Sequence, residues 1–411
     1  MASPLKGATA VETHSAILDL VRSSGVVSRV ELADRSGLTA ASISRIVKQL
    51  LAAGLIAEVG FGDRTGGKRR TLLQLNPSSR HAVGISIDFA NITYVITDLR
   101  GEVVTQLESP GTGHESPRRV VKRIANELRS LFGSAGVDTS TLEGIGIAVA
   151  GRQDSAHHVL RSDPSATEWE FFDIEDTLSA ATDLPVVVEN DSTCAAIGEF
   201  WVGRIPASAD FATVYLATGF GLGLVTNGDV YRGSSSNVGE IGHMVLDVNG
   251  PDCWCGSRGC LEVLAAPLSV VSRALSDRRL TQELGLSRKE GDLRENAALI
   301  TAGAAARHPG CLKLIEESAF YLAKALLSIT NLLDLDQIIL AGPGFAGVGE
   351  IYVRKAAEDL DQMSFLKAVH STKVGLSKSG PNSAALGAAS LVLHSRLTPH
   401  QTSSRLALTS R

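Results

Sequence analysis

Three cysteines fall within eight positions, Cys253, Cys255 and Cys260, and His243 precedes the first of them by ten residues. One imidazole and three thiolates supply a complete tetrahedral zinc set, which leaves no open position and marks a structural rather than a hydrolytic site. Any fold that holds these residues must draw this loop onto itself. The spacing is not that of a zinc finger. Buried cysteines without a ligand are the competing explanation, but three thiols this close rarely arise from packing alone. Cys194 and Cys311 lie outside the cluster and read as core cysteines. Five cysteines in 411 residues are too few for a disulfide scaffold.

No apolar run approaches the roughly 18 residues a membrane helix needs. Met1 to Ser15 has no apolar core of the kind a secretory signal carries, so the expected address is the cytoplasm. With 44% hydrophobic and 20% charged residues, wholesale disorder is excluded.

The formal charge of −5 is unevenly spread. Residues 1–80 carry 11 Lys and Arg against 6 Asp and Glu, whereas the remainder carries 28 against 38. A basic head on an acidic body suggests a small module that meets a polyanion. The pattern within the head is specific. Ser15 to Arg22 is apolar-periodic and stops before Gly25. Ser28 stands as an N-cap with Glu31 three residues on, a capping box ahead of Val30–Arg35. Gly37 permits a tight turn, and Thr39 caps a third helix whose Ile43, Ile46, Val47, Leu50 and Leu51 share one face.

Two helices across a short turn, with a third before them, form a helix-turn-helix. The outer side of the third helix carries Ser42, Ser44, Arg45 and Lys48, small or basic residues suited to a major groove, with Thr39 at its start. Residues 55–59 and 70–75 read as a hairpin. Its glycine tip holds Arg64, Lys68, Arg69 and Arg70, a wing that can follow the phosphate backbone. The expected partner is double-stranded DNA; the alternative is a three-helix bundle that docks another protein.

From His81 the chain alternates buried strands and helices, an α/β body of two halves, with a first set of strands from Val83 and a second from Ala212. Ligands of such folds sit beyond the carboxyl ends of strands. Glu189-Asn190-Asp191 closes one strand, while Glu240 and Glu262 flank the cysteine cluster. Carboxylates and an amide at such places can grip vicinal hydroxyls, although each alone is more often a surface residue or a helix cap. The run Gly219-Phe220-Gly221-Leu222-Gly223 is open to a phosphate reading, but glycine loops are common.

Together these residues resemble the ROK family, named for repressors, open reading frames and kinases. The resemblance spans about Ser15 to Leu393. Its most specific part runs from Ala217 through Gly219, Gly221, Gly223, Gly233, Gly239, Glu240, Gly242 and His243 into the cysteine cluster. It implies an actin-like, two-lobed sugar-kinase fold over residues 81–398, preceded by a winged helix-turn-helix over residues 1–80. The Ser- and Thr-rich tail at 399–411 is expected to be disordered. The resemblance further implies that Asn190, Asp191, Glu240, His243 and Glu262 line a sugar pocket, with His243 touching both sugar and metal. In the kinases of the family, the residue matching Asp191 is the base that takes the hydroxyl proton.

The kinases also carry a Gly-Gly-Thr phosphate loop after the first strand's aspartate, and here Asp88 is followed by Phe89-Ala90-Asn91. Losing that cradle removes the positioning on which phosphoryl transfer depends. The expectation is therefore a sugar-responsive repressor of carbohydrate genes, not an enzyme, in which Asp191 is a vestigial base. Two-fold operators require at least a homodimer, and a homotetramer is equally allowed. An active sugar kinase with a DNA-binding head is the runner-up. A regulator whose body senses a protein partner is the third possibility.

Overall fold

The computed structural model describes residues 10–62, 69–154, 159–161, 167–169, 172–289 and 291–397. Lys68 and the tail 399–411 lie outside the described residues. Three helices open the chain: α1 (Ala10–Ser24), then, after the short strand β1 (Val27–Ser28), α2 (Arg29–Ser36) and α3 (Ala40–Ala52). The caps are those the sequence specifies. Ser28 and Glu31 form the reciprocal capping box, Gly37 ends α2 in the left-handed region, and Thr39 accepts from the Ser42 amide. Strands β2 (Ile56–Phe61) and β3 (Thr71–Leu75) complete a winged helix-turn-helix. The sequence reading missed β1, which pairs antiparallel with β3 and gives the sheet order β1-β3-β2. Two residues are too few to show an alternation.

By packing, the chain divides into two compact units. One comprises Met1–Ala209, Thr226–Val230 and Ala384–Arg411; the other comprises Asp210–Val225 and Tyr231–Ser383. In the first unit, β4 (His81–Ile87), β5 (Asn91–Asp98) and β6 (Val103–Pro110) form an antiparallel meander, followed by α4 (Pro117–Ala135) and β7 (Leu142–Val149). A small hairpin, β8 (Arg152–Asp154) and β9 (Val159–Arg161), leads to α5 (Ile174–Thr182), β10 (Val186–Asn190) and α6 (Asp191–Val202). The sheet order is β10-β7-β4-β5-β6, with β7 parallel to both β4 and β10.

The second unit opens with the antiparallel pair β11 (Phe211–Leu216) and β12 (Phe220–Thr226); the two-residue strand β13 (Asp229–Val230) comes next in the chain. Helices α7 (Leu261–Ala265), α8 (Pro267–Ser276), α9 (Arg278–Leu284), α10 (Leu293–Ala305) and α11 (Pro309–Leu333) follow. Then come β14 (Gln337–Ala341), α12 (Gly349–Met363) and β15 (Lys373–Leu376). In this unit β12, β11, β14 and β15 lie side by side in that order. Cys311 is fully buried in this unit's core, and Cys194 is fully buried in the first unit, so both are core cysteines.

The last helix, α13 (Ser383–Leu397), lies back against the first sheet. Its Ala-Gly-rich face permits backbone contact. A side chain on Gly387 would stand 1.7 Å from the Cys194 carbonyl oxygen of α6, and one on Gly146 of β7 would stand 2.0 Å from that of Ala388. The core of the head is continuous with this assembly. Ile17, Val21, Leu32, Ile43 and Ile46 belong to one buried cluster with Ala82, Leu99, Ile197, Trp201, Ala389 and Leu393. Among the described residues, this buried apolar cluster has members on both sides of residue 80.

Candidate metal centre and nucleic-acid interface

On α3, Ile43, Ile46, Val47 and Leu50 turn inward, which leaves Ser44, Arg45 and Lys48 exposed together on the opposite face. Thr39 is exposed and Ser42 half-buried. Both are partly committed to the cap, since the Thr39 hydroxyl donates to the Ser42 hydroxyl at 3.0 Å. Arg69 and Arg70 are exposed where β3 begins, and the Gly62 amide donates to the Arg70 carbonyl at 2.9 Å. Gln49, which the sequence reading passed over, meets the His14 ring of α1 at 2.8 Å.

His243, Cys253, Cys255 and Cys260 are brought together as the spacing predicts. Their four ligand atoms all lie within 4.8 Å of one another, a set that can hold a metal ion. The Cys255 and Cys260 sulfurs are 3.8 Å apart, and His243 Nδ1 is 3.7 Å from the Cys253 sulfur. The loop is a tight double-back in which the Cys253 amide donates to the Ser257 carbonyl and the Leu261 amide to that of Met244. Burial pushes the Cys260 thiol up to about 12, whereas the backbone at Ser257 draws Cys255 down. The exposed Trp254 ring stands edge-on to His243, with centroids 4.9 Å apart.

Cys260 caps α7, so Glu262 sits on the first turn after the cluster's last thiol. Its carboxylate accepts from the Phe220 amide at 3.2 Å. Burial raises the carboxyl above its ordinary value, partly offset by that amide, and Glu240 adds repulsion. Gly219 and Gly242 make room for it: a Cβ at Gly219 would stand 2.7 Å from one carboxylate oxygen, and one at Gly242 would stand 2.9 Å from the other. Part of the glycine run that raised a phosphate reading thus admits a carboxylate. The sequence held this in Gly219 and Glu262 but gave no signal that the two would meet.

Asn190 and Asp191 lie in the first unit at the start of α6. The Asn190 side-chain oxygen accepts from the Ser192 and Thr193 amides at 3.0 and 3.2 Å, so this residue does act as a helix cap. Its amide group donates to the Gly151 carbonyl at 3.3 Å. Asp191 accepts from the Ser192 amide at 2.7 Å and is half-buried.

The turn after β4 is closed on itself. The amides of Gly111, Thr112 and Gly113 donate to the Ala90, Asp88 and Phe89 carbonyls, and the Phe89 amide is held by the Asp88 carboxylate at 2.5 Å. The Phe89 side chain projects outward, edge-on to His114.

Among the described residues, no helix is long and apolar enough to cross a membrane. The winged helix-turn-helix DNA-binding family is matched over residues 12–57 and the ROK family over residues 82–395. The xylose repressor of Bacillus subtilis is 28% identical over 371 residues, which cover 89% of this chain and 91% of that protein. The Escherichia coli transcriptional dual regulator NagC is 27% identical, over 80% of this chain and 79% of its own length. A ROK family transcriptional regulator homologous to E. coli MLC superposes with a TM-score of 0.70 at 22% identity, covering 95% of this chain and 98% of that one. A Streptomyces griseus ROK glucokinase solved with glucose and AMPPNP gives 0.64 at 24% identity, over 76% of this chain and 98% of its own. With more than half its length matched, and with the motifs at the places described, the chain belongs to the ROK family.

Proposed function

We propose that this protein is a sugar-responsive, DNA-binding transcriptional regulator, a repressor of carbohydrate genes, and not a sugar kinase. The observation that carries the reading is the outward face of Ser44, Arg45 and Lys48 on a winged helix-turn-helix joined to a ROK body. With Thr39, Ser42, Lys68, Arg69 and Arg70 these residues form the proposed DNA contacts. Asn190, Asp191, Glu240, His243 and Glu262 are the proposed sugar contacts. Sugar acts by differential affinity: the conformation it prefers shifts the population of the form that seats on a two-fold operator. Two heads, hence a dimer or a dimer of dimers, are part of this proposal.

Against a kinase stands the turn after β4. The Phe89 amide, a donor that a phosphate would need, is already taken by the Asp88 carboxylate. A nucleotide phosphate brought there would meet Asp88, not an open backbone cradle.

The metal is proposed to be structural zinc. Tetrahedral zinc with Zn–S near 2.3 Å places sulfurs about 3.8 Å apart, and Cys255 and Cys260 stand at that separation. His243, Cys253, Cys255 and Cys260 would hold the ion, whose chemistry is to fold the loop and so fix Glu262.

The test is fluorescence anisotropy of the full chain on DNA from its own upstream region, with and without D-xylose, D-glucose or N-acetylglucosamine. Binding that one sugar alters is expected. Arg45→Ala should weaken DNA binding by about 10- to 100-fold while sugar binding, followed by calorimetry, stays intact. Sugar-dependent ADP production from ATP would overturn the sensor-only reading.

A further inference from the structure

Arg22 counts toward the positive charge of the head but does not face outward. It is 3% exposed and its side chain is spent on the body of the first unit. One terminal nitrogen donates to the Phe200 and Trp201 carbonyls at 2.5 and 3.2 Å, the other to the Ile205 carbonyl at 3.1 Å. Its Nε donates to Asp19 at 2.8 Å, and the guanidinium lies 4.2 Å from the centre of the Phe200 ring. The last carbonyls of a helix lack intrahelical partners and carry the negative end of its dipole. Arg22 is thus the cation that closes the C-terminal end of α6.

The other end of α6 begins at Asp191, with Asn190 as its cap. Twelve residues of helix span about 18 Å and bend little. The helix cannot slip independently of its surroundings either, because α13 meets it backbone to backbone at Gly387. At its far end α13 offers the Leu397 carbonyl to the Ser15 hydroxyl of α1, and its His394 ring stands edge-on to Phe200 and Trp201. Packed interfaces of this kind change between discrete arrangements, not continuously.

We infer that Arg22 is a positioning residue that couples the Asn190–Asp191 end of α6 to the DNA-binding head, so that a ligand acting on those two residues re-seats α1 through the end of the helix. This rests on the proposed function, in which Asn190 and Asp191 contact the sugar and α3 contacts DNA. Arg22 touches neither ligand. Its contribution is to the ratio between DNA affinities with and without sugar.

The test uses the full chain with Asp19→Leu and Arg22→Met together, which removes both buried charges and leaves neither stranded. Three quantities are read: sugar affinity, DNA affinity without sugar, and the factor by which D-xylose, D-glucose or N-acetylglucosamine changes DNA affinity. The two separate affinities should stay within about threefold of the parent, while the factor falls from the ordinary allosteric range of about 5- to 150-fold to near one. A factor unchanged in the variant overturns the coupling and leaves the proposed function standing. A parent protein whose DNA affinity ignores every sugar overturns both.

Hydrogen exchange on the parent protein gives an answer that does not depend on the variant folding. The sugar should change protection in residues 18–25 and 200–205 of DNA-free protein. Unchanged protection in both segments, with DNA affinity still sugar-dependent, overturns the coupling.

Discussion

Cys260→Ser is expected to abolish zinc retention and to destabilise the second unit by at least about 3 kcal/mol, because structural zinc binding is itself folding free energy. Cys260 is fully buried, and its sulfur stands 3.8 Å from that of Cys255, within the set of four ligand atoms. A serine hydroxyl is a far weaker donor to zinc than a thiolate, and three remaining ligands do not close the site. The loss would also reach past the loop. Cys260 caps the helix that carries the half-buried Glu262, whose carboxylate is held by the Phe220 amide between two glycines. Sugar affinity should therefore fall along with the metal. Zinc content after gel filtration, melting temperature and calorimetric sugar binding check the prediction. Full zinc occupancy with an unchanged melting temperature would remove Cys260 from the ligand set.

What was legible in the sequence was local. The Ser28–Glu31 box, the Thr39 cap and the apolar stripe of α3 each lie within a few residues, and the structure builds all of them. Cys253, Cys255 and Cys260 are nearly as local, with His243 only one loop away. Contacts between distant segments leave no periodic trace. Gly219 looked like part of a phosphate loop, since nothing in its neighbours announces that a carboxylate from residue 262 will fill the space beside it. The Ala-Gly run of α13 reads as a plain helix, although Gly387 is needed to admit the Cys194 carbonyl. Charge counting misled in one respect. Arg22 enters the basic total of the head, yet it is buried with Asp19 at 2.7 Å and contributes no outward field. Among the described residues, Arg45 and Lys48 of α3 and Arg69 and Arg70 beside the wing do stand exposed.

That buried pair sets the second large expectation. Arg22→Met alone should destabilise the first unit by about 3–5 kcal/mol, because removing one partner leaves an uncompensated buried charge. The Asp19 side chain is only 7% exposed, and its carboxylate oxygen would lose the guanidinium. The Phe200, Trp201 and Ile205 carbonyls would lose their donor in a place too closed to supply another. Burial lowers the Arg22 guanidinium below its ordinary value, and the Asp19 charge opposes that shift. Adding Asp19→Leu to the single variant should restore the part of the loss that comes from the stranded carboxylate, since a buried ion pair replaced by apolar side chains of similar volume is often neutral or stabilising, whereas the three carbonyls stay without their donor. In thermal unfolding the single variant should melt roughly 10 °C lower, and the double variant between it and the parent. A single variant as stable as the parent would mean that Asp19 finds another partner. The head would then be held to the body by its apolar core alone, through Ile17, Val21 and Trp201, and not by the closed end of α6.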